Sequence, residues 1–358
     1  MKLPWTTLLA SLLLTAPAAA QLQITPPAAV PSPAPDKQKP KEKPKTTPHT
    51  IAKKKDAAPK PSASPTPTLP ATVIPAPPTD DSNVDLVFGA YQRGQYKTAF
   101  DLATARAKTG DPKAMTMLGE LYSNAMGIRR DYAKALEWYK RASDAGDREA
   151  MFALAMLRMS GRGGPVDKGE AVKLMASAAK LGEPKAAYNL ALLYLDGQTL
   201  PQDVRRSAEL LRQAADAGLP EAQYALATFY KEGTGVPKDP DRAVRLLQAA
   251  SLADNVDAEV EYAIALFNGT GTPQNRPAAV ALLRKASRQG SAIAQNRLAW
   301  VLINGMGVPV DKVEGFKWHL VAKTSGKGDP ELDKQLSDLP ADDRAKAEAA
   351  ARKWLGTK

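Results

Sequence analysis

Cysteine is missing altogether from the 358 residues. Its absence excludes disulfide bonds, thiolate-bound metals, cysteine nucleophiles and the lipid-modified cysteine that begins a mature lipoprotein. Only two histidines are present, His49 and His319. No cluster of His, Asp and Glu has the spacing of metal ligands, and Ser and Asp find no histidine partner for a catalytic triad. We therefore expect no catalytic residues, no metal and no cofactor.

Long hydrophobic runs are also missing, because no stretch reaches the eighteen or so apolar residues that a membrane-spanning helix needs. The longest apolar run, residues 5–16, follows Lys2 and is ended by Pro17, and Ala20 closes a run of three alanines. This order is typical of a secretory signal peptide. An uncleaved anchor is the alternative, but the run rises only about 18 Å as a helix against a hydrocarbon core of roughly 30 Å.

We accordingly predict a signal peptide over residues 1–20 that is cleaved near Ala20. The mature protein is then expected in the periplasm of a Gram-negative cell without a transmembrane segment, and secretion is the alternative location.

The formal charge of +11 is divided, because residues 1–83 carry +5 of it and the remaining 275 residues carry +6. Residues 21–83 hold nine lysines against five acidic residues, and sixteen prolines lie in residues 21–79. With so few large apolar residues, this segment predicts a disordered linker. It is either a solubilising spacer or an electrostatic tether to an anionic envelope polymer, and an exported protein meets little nucleic acid, so we expect no nucleic-acid partner.

Residues 111–326 divide into six consecutive units of 36 residues with no insertion. The units begin at Asp111, Asp147, Glu183, Leu219, Asn255 and Ser291. Alanine occupies the fourth and thirty-second positions of every unit, the ninth and twenty-fifth positions are always small, and the eighth is Leu except at Tyr262. Several positions that keep the same residue type every 36 residues indicate a repeat protein.

Each unit carries the signals of two helices. Apolar and small residues at positions 4, 8 and 11, and again at 25, 28, 29 and 32, recur with helical spacing. Glycine ends the first helix of five units, whereas unit one has Ala125 there, and Thr199 replaces the second loop glycine of unit three. An Asp or Asn precedes each second helix, and we interpret it as an N-cap rather than a catalytic carboxylate. These patterns predict an all-α fold of stacked helix-turn-helix units.

Two runs carry a resemblance to a known family. Residues 222–239, AQYALATFYKEGTGVPKD, and residues 135–146, ALEWYKRASDAG, are similar to Sel-1-like repeats, which are relatives of the tetratricopeptide repeat. The resemblance covers about residues 111–326. It implies a right-handed α-solenoid whose first helices line a concave groove, and it implies protein binding, since the family includes exported bacterial proteins that act by protein contact.

The two ends of the repeat region are expected to be helical as well. Residues 84–110 read as a degenerate helical pair with a turn at Gly94, and residues 327–358 read as capping helices that carry Trp354. A solenoid needs such caps to cover its terminal apolar faces.

Candidate partner-binding residues were sought at positions 5, 12 and 13 of the units, which we expect to face the concave groove. These residues are Met115, Met151, Arg158, Gln223, Lys231, Glu259 and Gln295. Tyr122, Tyr194 and Tyr230 belong to the repeat pattern, so we interpret them as packing residues. His319 lies at core columns of unit six, where ring packing with a satisfied nitrogen is the favoured interpretation.

The favoured function is a periplasmic interaction scaffold or regulator that holds an envelope protein or peptide segment in the groove. A peptidoglycan- or polysaccharide-binding module is the alternative. A hydrolase is the least favoured, because the family members linked to β-lactam chemistry are rich in cysteine and this chain has none.

Overall fold

The computed structural model describes residues 85–356. Within them lie sixteen helices and no strand, which confirms the predicted all-α solenoid. The predicted signal peptide, residues 1–20, and the predicted linker, residues 21–83, fall outside the described residues.

Every unit folds as two helices of 13 residues each. The first helices are Pro112–Asn124, Arg148–Ser160, Pro184–Asp196, Pro220–Glu232, Val256–Asn268 and Ala292–Asn304. The second helices are Tyr132–Asp144, Lys168–Lys180, Val204–Asp216, Pro240–Leu252, Arg276–Arg288 and Lys312–Thr324. Each helix packs against the helices that precede and follow it along the chain, so the core is one continuous stack.

The helix ends follow the chemistry expected from the sequence. The Asp131 carboxylate accepts a hydrogen bond from the Lys134 backbone N–H at 3.0 Å, and the equivalent Asp or Asn caps the second helix of every other unit in the same way. The first helices end in the left-handed region, which glycine enters without strain. In unit one Ala125 takes this conformation with a φ of 59°.

Small residues let the two helices of a unit approach closely. Gly119, at the ninth position of unit one, lies against the Tyr139 ring, and a Cβ built on it would stand 2.6 Å from that ring. The other units have alanine at the ninth position and a side chain other than Tyr at the position of Tyr139. The fourth-position and thirty-second-position alanines are buried in all six units.

Two helices precede the repeats and two follow them. Leu86–Gln92 and Tyr96–Lys108 form the N-terminal pair, and Pro330–Ser337 and Ala341–Leu355 form the C-terminal pair. Leu332 is fully buried on the last unit, and the Trp354 ring packs edge-to-face on Trp318 with centroids 5.0 Å apart.

His319 joins the last unit to the C-terminal pair. The ring is fully buried, and its Nε2 lies 2.8 Å from Oδ1 of Asp333, while Nδ1 has no hydrogen-bond partner within the described residues. The same Asp333 oxygen accepts from the Lys323 ammonium at 2.8 Å. The histidine therefore packs in the core with one satisfied nitrogen.

Candidate partner-binding surface

The seven predicted groove residues do not lie on one open surface. Met115, Glu259 and Gln295, all at the fifth position, are buried, whereas Met151 and Gln223 at the same position are only partly exposed. The expectation that position 5 faces an open groove is therefore wrong for the three buried residues.

The reason is the direction in which position 5 points. Gln223 Nε2 donates to the Ala215 carbonyl at 3.3 Å, and Gln295 Nε2 donates to the Ser287 carbonyl at 3.1 Å. Both carbonyls belong to the last turn of the preceding second helix and also accept a backbone N–H, from Gly218 and Gly290 respectively, so each glutamine adds a second hydrogen bond to its carbonyl. Position 5 thus faces the neighbouring unit.

Glu259 breaks that pattern because a carboxylate cannot donate to a carbonyl. Its Oε1 lies 2.5 Å from the Lys285 ammonium, which also contacts Asp254 Oδ1 at 2.7 Å. The ion pair compensates a fully buried negative charge, which would otherwise be strongly unfavourable. Glu259 is therefore held inside the stack.

The remaining predicted residues stay at the surface in part. Arg158 and Lys231 are half-buried, and the Lys231 ammonium pairs with Glu261 at 3.1 Å. Met151 packs on the edge of the central core. Binding of a partner by these residues stays a prediction.

A set of half-buried apolar side chains, which the sequence analysis did not single out, lies along one face of the first helices of units two to six. It is formed by positions 6 and 10, which are one helical turn apart and share a face. The half-buried members are Phe152, Met156, Tyr188, Leu192, Tyr224, Ile264 and Trp300. We call these residues the first-helix stripe. Position 6 is apolar or aromatic in units two to five but is Thr116 and Asn296 in units one and six. Position 10 is Glu120 and Thr228 in units one and four, so no uniform column pattern marks the stripe in the sequence.

Carboxylates flank the middle of the first-helix stripe. Burial and the charge of Glu221 raise the pKa of the Tyr188 hydroxyl to about 12. Burial together with Glu261 and Asp257 raises the pKa of the Tyr224 hydroxyl. Both tyrosines therefore stay neutral donors at physiological pH, beside side chains that carry negative charge.

The pKa of Asp257 is raised as well, first by desolvation and then by the neighbouring Glu261. A cation placed between these two carboxylates would relieve the repulsion and lower the pKa of Asp257. The stripe thus combines apolar contact area with nearby carboxylates, one of which, Glu261, already pairs with the Lys231 ammonium.

Among residues 85–356 no three His, Asp or Glu side chains are grouped as metal ligands would be. None of the helices described combines the length and the apolarity that crossing a bilayer requires.

Comparison with known proteins gives one clear family match. The Sel1 repeat family model matches residues 112–147, 148–183, 184–219, 220–255, 256–291 and 292–326, beginning one residue after the first unit start read from the sequence. No curated protein matches this chain.

Solved structures agree with the family match. A protective antigen present in uropathogenic Escherichia coli strains, displaying an SLR fold, is 25% identical with a TM-score of 0.64 over 76% of this chain. The chain spans 59% of the length of that antigen.

A Sel1 repeat protein from Oxalobacter formigenes is 24% identical with a TM-score of 0.56, over 66% of this chain and 94% of the other. The family model matches six adjacent segments, and each segment folds as a helix pair. The two similar solved structures agree with this assignment. This chain belongs to the Sel1 repeat family.

Proposed function

We propose that the protein is an exported interaction scaffold that binds a segment of another envelope protein along the first-helix stripe. Sel1 repeats generally mediate protein–protein interaction, and their fold is that of a scaffold rather than of an enzyme. The envelope location and the binding surface are part of this proposal.

The observation that carries the proposal is the first-helix stripe itself. Aromatic residues and methionine are enriched where proteins bind one another, because each covers a large apolar area. In the stripe such residues are only half-buried, although the fourth-position alanines of the same helices are fully buried. The unburied area is available to a partner.

The envelope location is supported by the N-terminal sequence. The apolar run of residues 5–16 after Lys2 and the alanines ending at Ala20 have the order of a signal peptide. Release of a C-terminally tagged protein by osmotic shock, with a shortened N-terminus beginning near residue 21, is the expected result. Retention in the cytoplasm at full length would contradict it.

Site-specific photo-crosslinking tests the surface. A benzoylphenylalanine replacing Tyr224 is expected to form adducts with one or a few proteins in intact cells. The matched control replaces Gln248, an exposed residue on the second helix of the same unit, and should give none of these adducts. Equal adducts at both positions, or none at Tyr224, would refute binding along the stripe.

Binding to cell-wall polymer is the alternative outcome. If the full chain sediments with purified peptidoglycan, and replacing Tyr224 and Trp300 with alanine abolishes this, the stripe binds glycan rather than protein. Loss of sedimentation at high salt without any effect of those substitutions would instead assign wall binding to charge, since salt screens such attraction.

A further inference from the structure

Two arginines from neighbouring units converge on one tyrosine hydroxyl. Arg212 Nη2 lies 3.4 Å and Arg242 Nη1 lies 3.3 Å from Oη of Tyr230. The two arginines project from the second helices of units three and four and are exposed, whereas Tyr230 ends the first helix of unit four and its ring is buried. A packing residue therefore places its hydroxyl between two exposed cations.

The hydrogen-bond roles at this hydroxyl leave a donor unused. A guanidinium can only donate, so Oη of Tyr230 accepts from both arginines. The hydroxyl proton must then point away from them, and no described residue accepts it. The two guanidiniums are exposed and keep further N–H groups, so an anion could accept from them and from the hydroxyl together.

The other units lack this combination, although they share the same backbone. Tyr194 is the equivalent of Tyr230 in unit three, but the positions of Arg212 and Arg242 are there occupied by Ala176 and Arg206. In unit one the positions of Arg212 and Arg242 are occupied by Thr104 and Lys134, and the Lys134 ammonium lies 5.4 Å from the centre of the Tyr122 ring. The repeat therefore explains the tyrosine but does not explain the pair of arginines.

The local charge suits a singly charged anion. Arg242 Nε pairs with Asp239 Oδ2 at 3.1 Å, so one of the two positive charges is already compensated. Burial alone would raise the pKa of Tyr230, but hydrogen bonds from Arg242 and Arg212 outweigh burial and lower it.

We propose that Arg212, Tyr230 and Arg242 form a carboxylate-binding site, which takes an Asp or Glu side chain of an acidic protein segment. A planar carboxylate matches the paired N–H groups of a guanidinium, and the outward hydroxyl proton supplies a third hydrogen bond. The site lies on the second-helix side and uses no residue of the first-helix stripe.

The test uses the full chain and a fluorescein-labelled hexaglutamate peptide, followed by anisotropy at low salt. The Arg212→Gln, Arg242→Gln double variant is expected to bind about tenfold more weakly than the unaltered chain, as the loss of charge-assisted hydrogen bonds requires. The matched control is the Arg206→Gln, Arg245→Gln double variant, which removes the same charge from exposed positions on the same two helices. It should change the affinity less than twofold.

A second readout reports on the hydroxyl itself and is insensitive to lysines elsewhere in the chain. The alkaline phenolate absorbance of the unaltered chain minus that of Tyr230→Phe gives the titration of Tyr230. Adding hexaglutamate should raise the pKa of Tyr230, because a bound carboxylate disfavours the phenolate.

Equal weakening by both double variants, or an unchanged Tyr230 titration, would overturn the proposal. Tighter and Arg212-dependent binding of inorganic phosphate, or of phosphatidylglycerol vesicles, would overturn the choice of carboxylate. Because the photo-crosslinking test uses Tyr224, which is not part of the carboxylate-binding site, failure of either proposal leaves the other intact.

Discussion

Single residues at the ends of the first helices show where the repeat is strained. Five of these helices end at a glycine in the left-handed region, but unit one ends at Ala125 with a φ of 59°. An L-residue enters this region at a cost of roughly 1–2 kcal/mol. The sequence identified Ala125 as a departure from the pattern, and the structure shows that the backbone did not change to suit it.

Ala125→Gly should therefore stabilise the protein by roughly 0.5–1 kcal/mol, the left-handed strain less the entropy that glycine adds to the unfolded chain. The urea midpoint is expected to rise with an unchanged m-value. The control is Ala145→Gly, an exposed helix end with a φ of −84°, where no strain is relieved. A gain no larger than that of the control would contradict the strain.

Two leucines of unit four differ in burial, so they test whether burial rather than residue type determines the loss of stability on substitution. Leu226 is 2% exposed in the central core, whereas Leu252 is 81% exposed. Leu226→Ala should lower the free energy of unfolding by about 2–5 kcal/mol through lost contacts and a cavity. Leu252→Ala should change it by less than about 0.5 kcal/mol. Urea unfolding of both variants checks the pair, and similar losses would contradict the assigned core.

The binding residues illustrate the limit of sequence reasoning at this scale. Position 5 was expected to face outward, but positions 6 and 10 do so instead. One position along a helix is about 100° of rotation about its axis. The sequence alone shows that apolar residues recur with the spacing of a helix. Which side of that helix is exposed depends on how the neighbouring helices cross it. No pattern within one unit determines that crossing.

Pairs of helices are fitted to one another by compensating sizes. In unit one, Gly119 makes room for the Tyr139 ring. In units three to five, the ninth position is alanine and the position of Tyr139 is occupied by Leu211, Leu247 and Leu283. The sequence shows that the ninth position is small, but it does not show which partner made glycine necessary.

Gly119→Ala should destabilise the protein by about 1–3 kcal/mol, because its new methyl group overlaps the ring. In a Tyr139→Leu background the same substitution should be neutral or stabilising, since alanine favours the helix by up to about 1 kcal/mol over glycine. The double-mutant cycle measures this coupling. Additive effects would show that the two residues do not constrain each other.

The contact between the last unit and the Pro330–Ser337 helix depends on pH. Hydrogen bonds from Lys323 and then His319 lower the pKa of Asp333. Its contribution to stability is therefore present above the unfolded aspartate pKa of about 3.9 and is lost as the pH falls through the lowered folded value.

The stability difference between the unaltered chain and Asp333→Asn should accordingly shrink as the pH falls from about 5 to 2. Carboxyl NMR of Asp333 gives the pKa directly, and Lys323→Met should raise that pKa by removing its leading cause. A constant stability difference over this pH range would contradict the assigned role of Asp333.

The whole repeat region was predictable because its signals are local. Each helix of the repeat region has its own start signal, a capping side chain or a first-turn proline, and its own apolar period, so the predicted helix pairs recur in the structure at the expected places. The carboxylate-binding site was not predictable, since Arg212, Tyr230 and Arg242 come from three helices and meet only after stacking.

Nearest-neighbour stacking predicts that one complete unit is dispensable. Deletion of residues 219–254 joins Gly218 to Asn255 in register and should leave a helical, cooperatively folding chain with an m-value reduced in proportion to the lost surface. Deletion of residues 219–236 removes one helix of the pair and should abolish cooperative unfolding. Circular dichroism with urea titration compares the two, and equal damage by both deletions would contradict the modular stack.

Equal unit length has a mechanical consequence. The six units have the same length, 36 residues, and each consists of two helices of 13 residues. Each unit that unfolds therefore releases the same length of chain, about 120–130 Å if fully extended. A protein anchored at both ends would then lengthen under tension in near-identical steps, and each step would limit the force passed on to whatever is attached.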